Sequence, residues 1–209
     1  MVKSVKITLE DRGFEVRDDE FLFGDKSYSL AQISHIFFSE TQTTHRTNYI
    51  KTGEYRDALL KLTLADGTQF RVKYDEAGII YNPLFKKNLT AQLRRLRDAY
   101  EHLSAKTFKQ RVLHYTNQLR SDGFFVIDEC RFYPPDKVYF RDKVFLADDT
   151  AFIRHPGCVT LEPMKRTLFG TIAANLTLSK IPQFNIQTDT DVCLFLLKQA
   201  FGISWKTEG

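Results

Sequence analysis

Hydrophobic and polar positions alternate in short runs through the first part of the chain. Val5, Ile7 and Leu9 alternate with polar residues, then Phe14 with Val16, then Phe21 with Phe23. Ile33 and Ile36 to Phe38 form a further short run. A period of two predicts strands with one buried face. Leu60, Leu62 and Leu64 alternate, Asp66-Gly67 follows, and Phe70, Val72 and Tyr74 alternate again. Asp-Gly between two alternating runs predicts a hairpin. The polar stretch Thr41 to Gly53 predicts an exposed hairpin or loop.

The period then changes. Phe85, Leu89, Leu93, Leu96, Tyr100 and Leu103 recur at helical spacing and form a stripe about 80° wide. Asn82 is the predicted N-cap and Pro83 the first helical residue. A second helix is predicted from Thr107, where Thr107 and Gln110 form a capping box. Phe108, Val112, Tyr115 and Leu119 line its face, and Gly123 ends it. Near the C-terminus Thr188 or Asp189 caps a helix that carries Val192, Phe195, Leu196 and Phe201 and stops at Gly202.

The chain also matches itself. Leu62-Thr63-Leu64, Gln69-Phe70 and Asp75 recur as Leu176-Thr177-Leu178, Gln183-Phe184 and Asp189, each offset by 114 positions. Upstream, Gly13-Phe14-Glu15-Val16 resembles Gly123-Phe124-Phe125-Val126 at 110, and Asp25-Lys26 with Tyr28 resembles Asp136-Lys137 with Tyr139 at 111. Two matches in one order predict an internal duplication. The expected fold class is α+β: two tandem units, each a curled antiparallel sheet of about six or seven strands with a C-terminal helix. The predicted divisions are a first domain over 1–105, a connecting helix over 106–122 and a second domain over 123–209.

That order of elements resembles the pleckstrin-homology-like (PH-like) superfold, which occurs in tandem in many bacterial proteins. The resemblance covers nearly the whole chain and rests on element order, length and pattern. Two features depart from the eukaryotic family. The single Trp, Trp205, follows the last helix instead of lying within it, and Lys6, Arg12 and Arg17 are interrupted by Glu10, Asp11 and Glu15 where a basic phosphoinositide reader would stand.

Composition narrows the function classes. Charged residues make up 27% of the 209, and 30 Lys+Arg against 26 Asp+Glu leave +4. The charge is unevenly spread. Residues 82–122 hold nine basic residues against three acidic ones, a balance of +6, whereas 1–81 sum to −2 and 123–209 to zero. The N-terminal residues have no apolar core, so no signal peptide is expected. No run reaches the roughly 18 apolar residues of a membrane span. Cys130, Cys158 and Cys193 are odd in number and widely spaced, which predicts reduced thiols in a cytoplasmic protein.

Catalytic chemistry finds no anchor in the pattern. There is no Gly-x-Ser-x-Gly elbow and no phosphate-binding glycine loop. His155 and Cys158 flank Pro156-Gly157, a turn signal, with no second ligand pair beside them. Cys130 and Cys193 sit in apolar patterns and read as buried thiols. The expected protein is therefore not an enzyme, with no catalytic residues, no metal and no cofactor. The expected function is non-catalytic protein–protein binding. Peripheral binding to anionic lipid through the basic helix is the alternative, and a toxin-neutralising, immunity-type protein is another. Nucleic acid is disfavoured because the aromatics Phe85 and Tyr100 fall on the apolar stripe. Candidate partner- or lipid-binding residues are Lys86, Lys87, Arg94 and Arg97 on the helix, and His45, Arg46 and Tyr49 in the polar stretch. Lys165, Arg166 and Phe169 join them from Pro163 to Ile172, read as the equivalent stretch of the second copy.

Overall fold

The computed structural model describes residues 5–9, 12–47, 50–75, 83–155, 157–167, 170–173 and 184–203. The described residues are α+β, with two helices and four antiparallel sheets. It divides into two units, Met1–Gln110 and Arg111–Gly209.

Unit 1 opens with a four-stranded meander of β1 (Ile7–Leu9), β2 (Phe14–Val16), β3 (Glu20–Phe23) and β4 (Lys26–Ser29). A single 3-10 turn at Leu30–Gln32 leads into a second sheet of β5 (Ile33–Thr47), β6 (Ile50–Leu64) and β7 (Gln69–Asp75). The helix α1 (Pro83–Asp122) follows and runs on past the end of the unit. Alternation does what it predicts: β7 reads buried at Phe70, Val72 and Tyr74 and exposed between them. Both sheets and the helix share one core, into which α1 inserts Leu93, Leu96, Ala99 and Leu103. Phe21, Phe23 and Tyr28 meet Phe70 with ring centroids 4.6–5.3 Å apart, fastening the first sheet to the second. The Asp66-Gly67 turn forms as expected. Gly67 takes φ +86°, and the Asp66 carboxylate accepts the Thr68 N–H at 2.8 Å.

The polar stretch Thr41 to Gly53 takes the hairpin form of the two expected, as the end of the 15-residue β5 paired with the 15 residues of β6. One expectation changes here. The helix does not break at Thr107. No Gly or Pro follows Pro83 within α1, so nothing interrupts it over 40 residues. Thr107 is buried mid-helix and donates its hydroxyl to the Leu103 carbonyl at 2.8 Å. Gln110 does not complete a capping box; its amide donates to the carbonyls of Leu30 and Ile33.

Unit 2 repeats the order. After α1 come β8 (Phe125–Ile127), β9 (Cys130–Tyr133), β10 (Lys137–Phe140) and β11 (Lys143–Leu146) in a second meander, then a 3-10 turn at Ala147–Asp149. The last sheet contains β12 (Thr150–His155), β13 (Cys158–Thr167), β14 (Gly170–Ala173) and β15 (Phe184–Ile186), followed by α2 (Thr190–Phe201). Gly123 and Gly202, at φ +76° and +69°, stand where the two helices end.

The strand registers set the correspondence between the units. Glu20 faces Ser29 and Leu22 faces Ser27 in β3–β4; Lys137 faces Leu146 and Tyr139 faces Val144 in β10–β11. The meanders therefore match at an offset of 117 on these strands. The sequence matches at 110 and 111 are one strand out of step, because they place β2 on β8 and β4 on β10. The other match is half retained. Phe70 faces Leu62, and Phe184 faces Leu161. Phe184 thus holds the place of Phe70, but Leu161 holds that of Leu62, and Leu176 lies outside the described residues. Asn82, Trp205 and the turn at 180–182 also lie outside them.

Leu96 is fully buried, whereas Leu113 on the same helix is 55% exposed. Leu96→Ala is expected to cost about 2–5 kcal/mol in the unfolding of unit 1. Leu113→Ala should stay within roughly 0.5 kcal/mol. Denaturant melts of the two variants check this pair.

Candidate partner-binding surface

In unit 1, α1 and β5 advance in step with opposite chain directions. Gln110 reaches the Ile33 carbonyl, Tyr100 stacks on Phe38 at 4.6 Å, and Arg97 pairs with Glu40 at 2.6 Å. Thirteen residues of helix rise about 20 Å, and seven residues of strand span about 23 Å, so the two keep pace. Continuing the same way, the first turns of α1, with Lys86, Lys87 and Arg94, and the far end of β5, with His45 and Arg46, lead toward the same end of the unit. At that end β5 and β6 pair alone. β7 reaches only from Thr63 to Asp57 of β6, whereas β5 and β6 pair on from Gln42↔Arg56 to Thr47↔Ile50. A bulge lies between His45 and Arg46, and Arg46 stands opposite Lys51. The result, among the described residues, is a two-stranded ribbon of mostly polar sequence. Tyr49 lies outside the described residues.

The candidate cations differ in what they meet. Arg94 is exposed. Arg97 is held by Glu40, whose carboxylate raises the arginine pKa. Arg111, one of the nine basic residues of 82–122, is not exposed. Its side chain is fully buried in unit 2. It donates to Asp189 at 2.7 Å and to both carboxylate oxygens of Asp191 at 2.9 and 2.7 Å. Burial alone would lower its pKa; the two carboxylates, Asp191 foremost, outweigh this and raise it. The Tyr115 hydroxyl donates to the other Asp189 oxygen at 2.5 Å. Asp189 is the N-cap residue of α2 but makes no side-chain cap bond, because its carboxylate serves Arg111 and Tyr115 instead. It sits at φ +46°, a conformation that costs a non-glycine residue energy and persists where surrounding bonds fix it. Asp128, at φ +53°, accepts the backbone N–H groups of Gln187 and Thr188 and the Thr188 hydroxyl. These bonds fasten the loop before α2 to the first turn of unit 2. One signal for Arg111 lay in the sequence: it stands four residues after Thr107 and four before Tyr115, on the helical face that both bury.

The second candidate stretch also moves. By strand order the tip of the β5–β6 ribbon corresponds to the β12–β13 turn, where His155 faces Cys158. Pro163 to Ile172 belongs instead to the β13–β14 hairpin, in which Lys165 faces Ile172 and Arg166 faces Thr171. Phe169 lies outside the described residues. Cys130 and Cys193 are buried, as their apolar patterns predict. Among the described residues no three His, Cys, Asp or Glu side chains gather at metal-ligand spacing. No helix among them is long and apolar enough to cross a membrane. Compared with protein-family models, curated proteins and solved structures, the chain finds no match in any of the three.

The buried arginine generates a stability prediction. Arg111→Leu leaves two carboxylates facing each other and should destabilise unit 2 by about 3–5 kcal/mol. Arg97→Leu breaks an exposed pair and should cost less than about 1 kcal/mol. Equilibrium unfolding of both variants compares them.

A pH prediction follows from burial in unit 2. Burial raises the pKa values of Cys130, Cys193 and Tyr115. In the unfolded chain the thiols ionise near about 8.5 and the phenol near about 10. Above those values the folded state holds more protons than the unfolded one, so stability is complete below pH ~8 and falls as pH rises. Each thiol contributes a loss of roughly 1.4 kcal/mol per pH unit once past its unfolded value. Melting curves from pH 7 to 10 should show unit 2 weakening, and Cys130→Val with Cys193→Val should flatten the slope.

Proposed function

We propose that the chain is a non-catalytic binding protein of two PH-like units, and that unit 1 docks an acidic protein partner. Support for the PH-like reading is the order of four strands, a second antiparallel sheet and a helix in each unit. The binding reading is carried by the opposed directions of β5 and α1, which lead the polar ribbon and the basic start of the helix toward one end of the unit. Residues 83–97 contain five basic residues and no acidic one. The two-stranded β5–β6 ribbon offers backbone and polar groups for recognition, as projecting hairpins and loops do.

The ribbon favours protein over lipid. From Gln42 to Thr47 β5 has no apolar residue, and on β6 only Ile50 and Tyr55 are large and apolar before Ala58. Membrane-surface binding needs an apolar face as well as charge. The test is affinity capture by the full chain from a lysate of its host, set beside sedimentation with vesicles containing anionic lipid. One acidic protein should be retained by the wild type and lost by Lys86→Glu/Lys87→Glu/Arg94→Glu, with weakening at high salt. Salt-sensitive vesicle binding abolished by the same variant, with no captured protein, would replace this reading with the lipid one.

A further inference from the structure

We propose that Lys61 and Arg71, on the face of the β5–β6–β7 sheet turned away from the core, bind a phosphorylated side chain of a partner protein. The site is separate from the ribbon and the start of α1; it shares with the proposed function only the view that unit 1 binds protein.

The strand registers place the pair. Leu60 faces Val72 and Leu62 faces Phe70, and all four are buried. Lys61 faces Arg71 between them, so both side chains leave the sheet on its other face. Residues directly opposite on antiparallel strands hold their Cβ atoms about 4.5–5.5 Å apart, and like charges at that spacing destabilise a sheet. No neighbour relieves this pair. Among the described residues neither Lys61 nor Arg71 makes a side-chain ion pair or hydrogen bond. Lys73, the next residue of β7 on this face, is held by Asp75 at 3.0 Å.

Unit 2 holds the same places without charge. Phe184 stands for Phe70 and Leu161 for Leu62, so Thr160 and Asn185 stand for Lys61 and Arg71. There the Thr160 hydroxyl donates to the Asn185 side-chain oxygen at 2.7 Å, a neutral pair that satisfies itself. Phe37 opposite Lys61 is matched by Ile153 opposite Thr160. The apolar neighbour is retained while the pair changes, so folding does not demand the two cations. A local repulsion that the fold does not demand is expected at a functional site.

Charge and shape select the occupant. Two adjacent cations match one dianion. A phosphomonoester carries about −1.5 to −2 at pH 7 and three acceptor oxygens. These suit the forked donors of Arg71 and the point charge of Lys61; a carboxylate brings about half that charge. The positive charge is also confined. Asp57 and Asp75 face each other farther along the same face, where a polyanion such as nucleic acid meets repulsion. The surface is one side of a pleated sheet, with Arg71 and Lys73 exposed on its edge strand, whereas small ligands are held in clefts. Half-buried Phe37 and Leu59, beside Lys61, offer apolar contact to residues that flank the phosphate.

The test uses the full chain with a pool of random peptides that carry one central phosphoserine, and the same pool without phosphate as control. Fluorescence polarisation reads the affinity, and amide chemical shifts in residues 59–63 and 69–73 locate the binding. The control pool should bind about tenfold more weakly or worse. Lys61→Thr/Arg71→Asn, which installs the pair of unit 2, should remove that difference and raise the melting temperature of unit 1. Lys61→Arg should retain binding. Lys86→Glu/Lys87→Glu/Arg94→Glu should leave the difference in place, so a failure at the other unit 1 surface is read separately. Equal binding of both pools overturns the proposal, as does a difference that Lys61→Thr/Arg71→Asn leaves unchanged. So does binding of inorganic phosphate, or of vesicles containing phosphatidic acid, as tight as that of the peptides, because a free ion or a lipid headgroup is then the ligand.

Discussion

The sheets of both units bury one face of their strands, and that alternation is the constraint from which the rest follows. Phe14, Val16 and Phe21 in unit 1, and Cys130, Phe132 and Val138 in unit 2, occupy matching inner positions and are all buried. Removing apolar surface from water fixes these positions in kind, although not in identity. The outer positions carry no such obligation. One sheet has filled them with Glu15, Arg17 and Glu20; the other with Arg131, Tyr133 and Lys137. The same fold thus offers two different surfaces.

The helices obey the same rule with a different period. The face of α1 that buries Leu96, Leu103 and Thr107 continues through Arg111 to Tyr115. At Arg111 the buried position holds a cation, and unit 2 meets it with Asp189 and Asp191 at the start of α2. A buried charge without partners is strongly disfavoured, so these carboxylates are tied to Arg111 and α2 to its place beside α1. This also changes the apparent charge of the helix. Of the nine basic residues between Asn82 and Asp122, Arg111 is neutralised inside and Arg97 is neutralised by Glu40. Among the described side chains Arg94, Arg95, Lys106, Lys109 and Arg120 are exposed.

Local chemistry was legible in the sequence; pairing was not. The Asp66-Gly67 turn, the helical stripe from Leu93 to Leu103 and the glycine at 202 follow from backbone preference and period, which act within a few residues. The match of Gly13–Val16 to Gly123–Val126 failed because strand and turn together recur every few residues here. A slip of one whole strand therefore preserves the alternation of Phe and Val. Only the register, in which Leu22 faces Ser27 and Tyr139 faces Val144, distinguishes the right offset. The length of β5 was hidden for a related reason. Its outer half, Gln42 to Thr47, holds no apolar residue that would give a periodic signal. The burial of Arg111 was not legible, because its acidic partners stand nearly 80 residues away in the chain.

If inner positions fold the sheet and outer positions are free to serve recognition, the outer face of unit 2 can be rewritten without loss of the fold. The direct measurement is the thermal unfolding of a chain carrying Arg131→Glu, Tyr133→Arg, Lys137→Glu, Val144→Ser and Leu146→Ser, the residues that unit 1 holds at those places. A cooperative transition with an unchanged far-ultraviolet spectrum is the predicted result. Loss of the unit 2 transition would contradict it, because these residues would then belong to the core that holds the unit together.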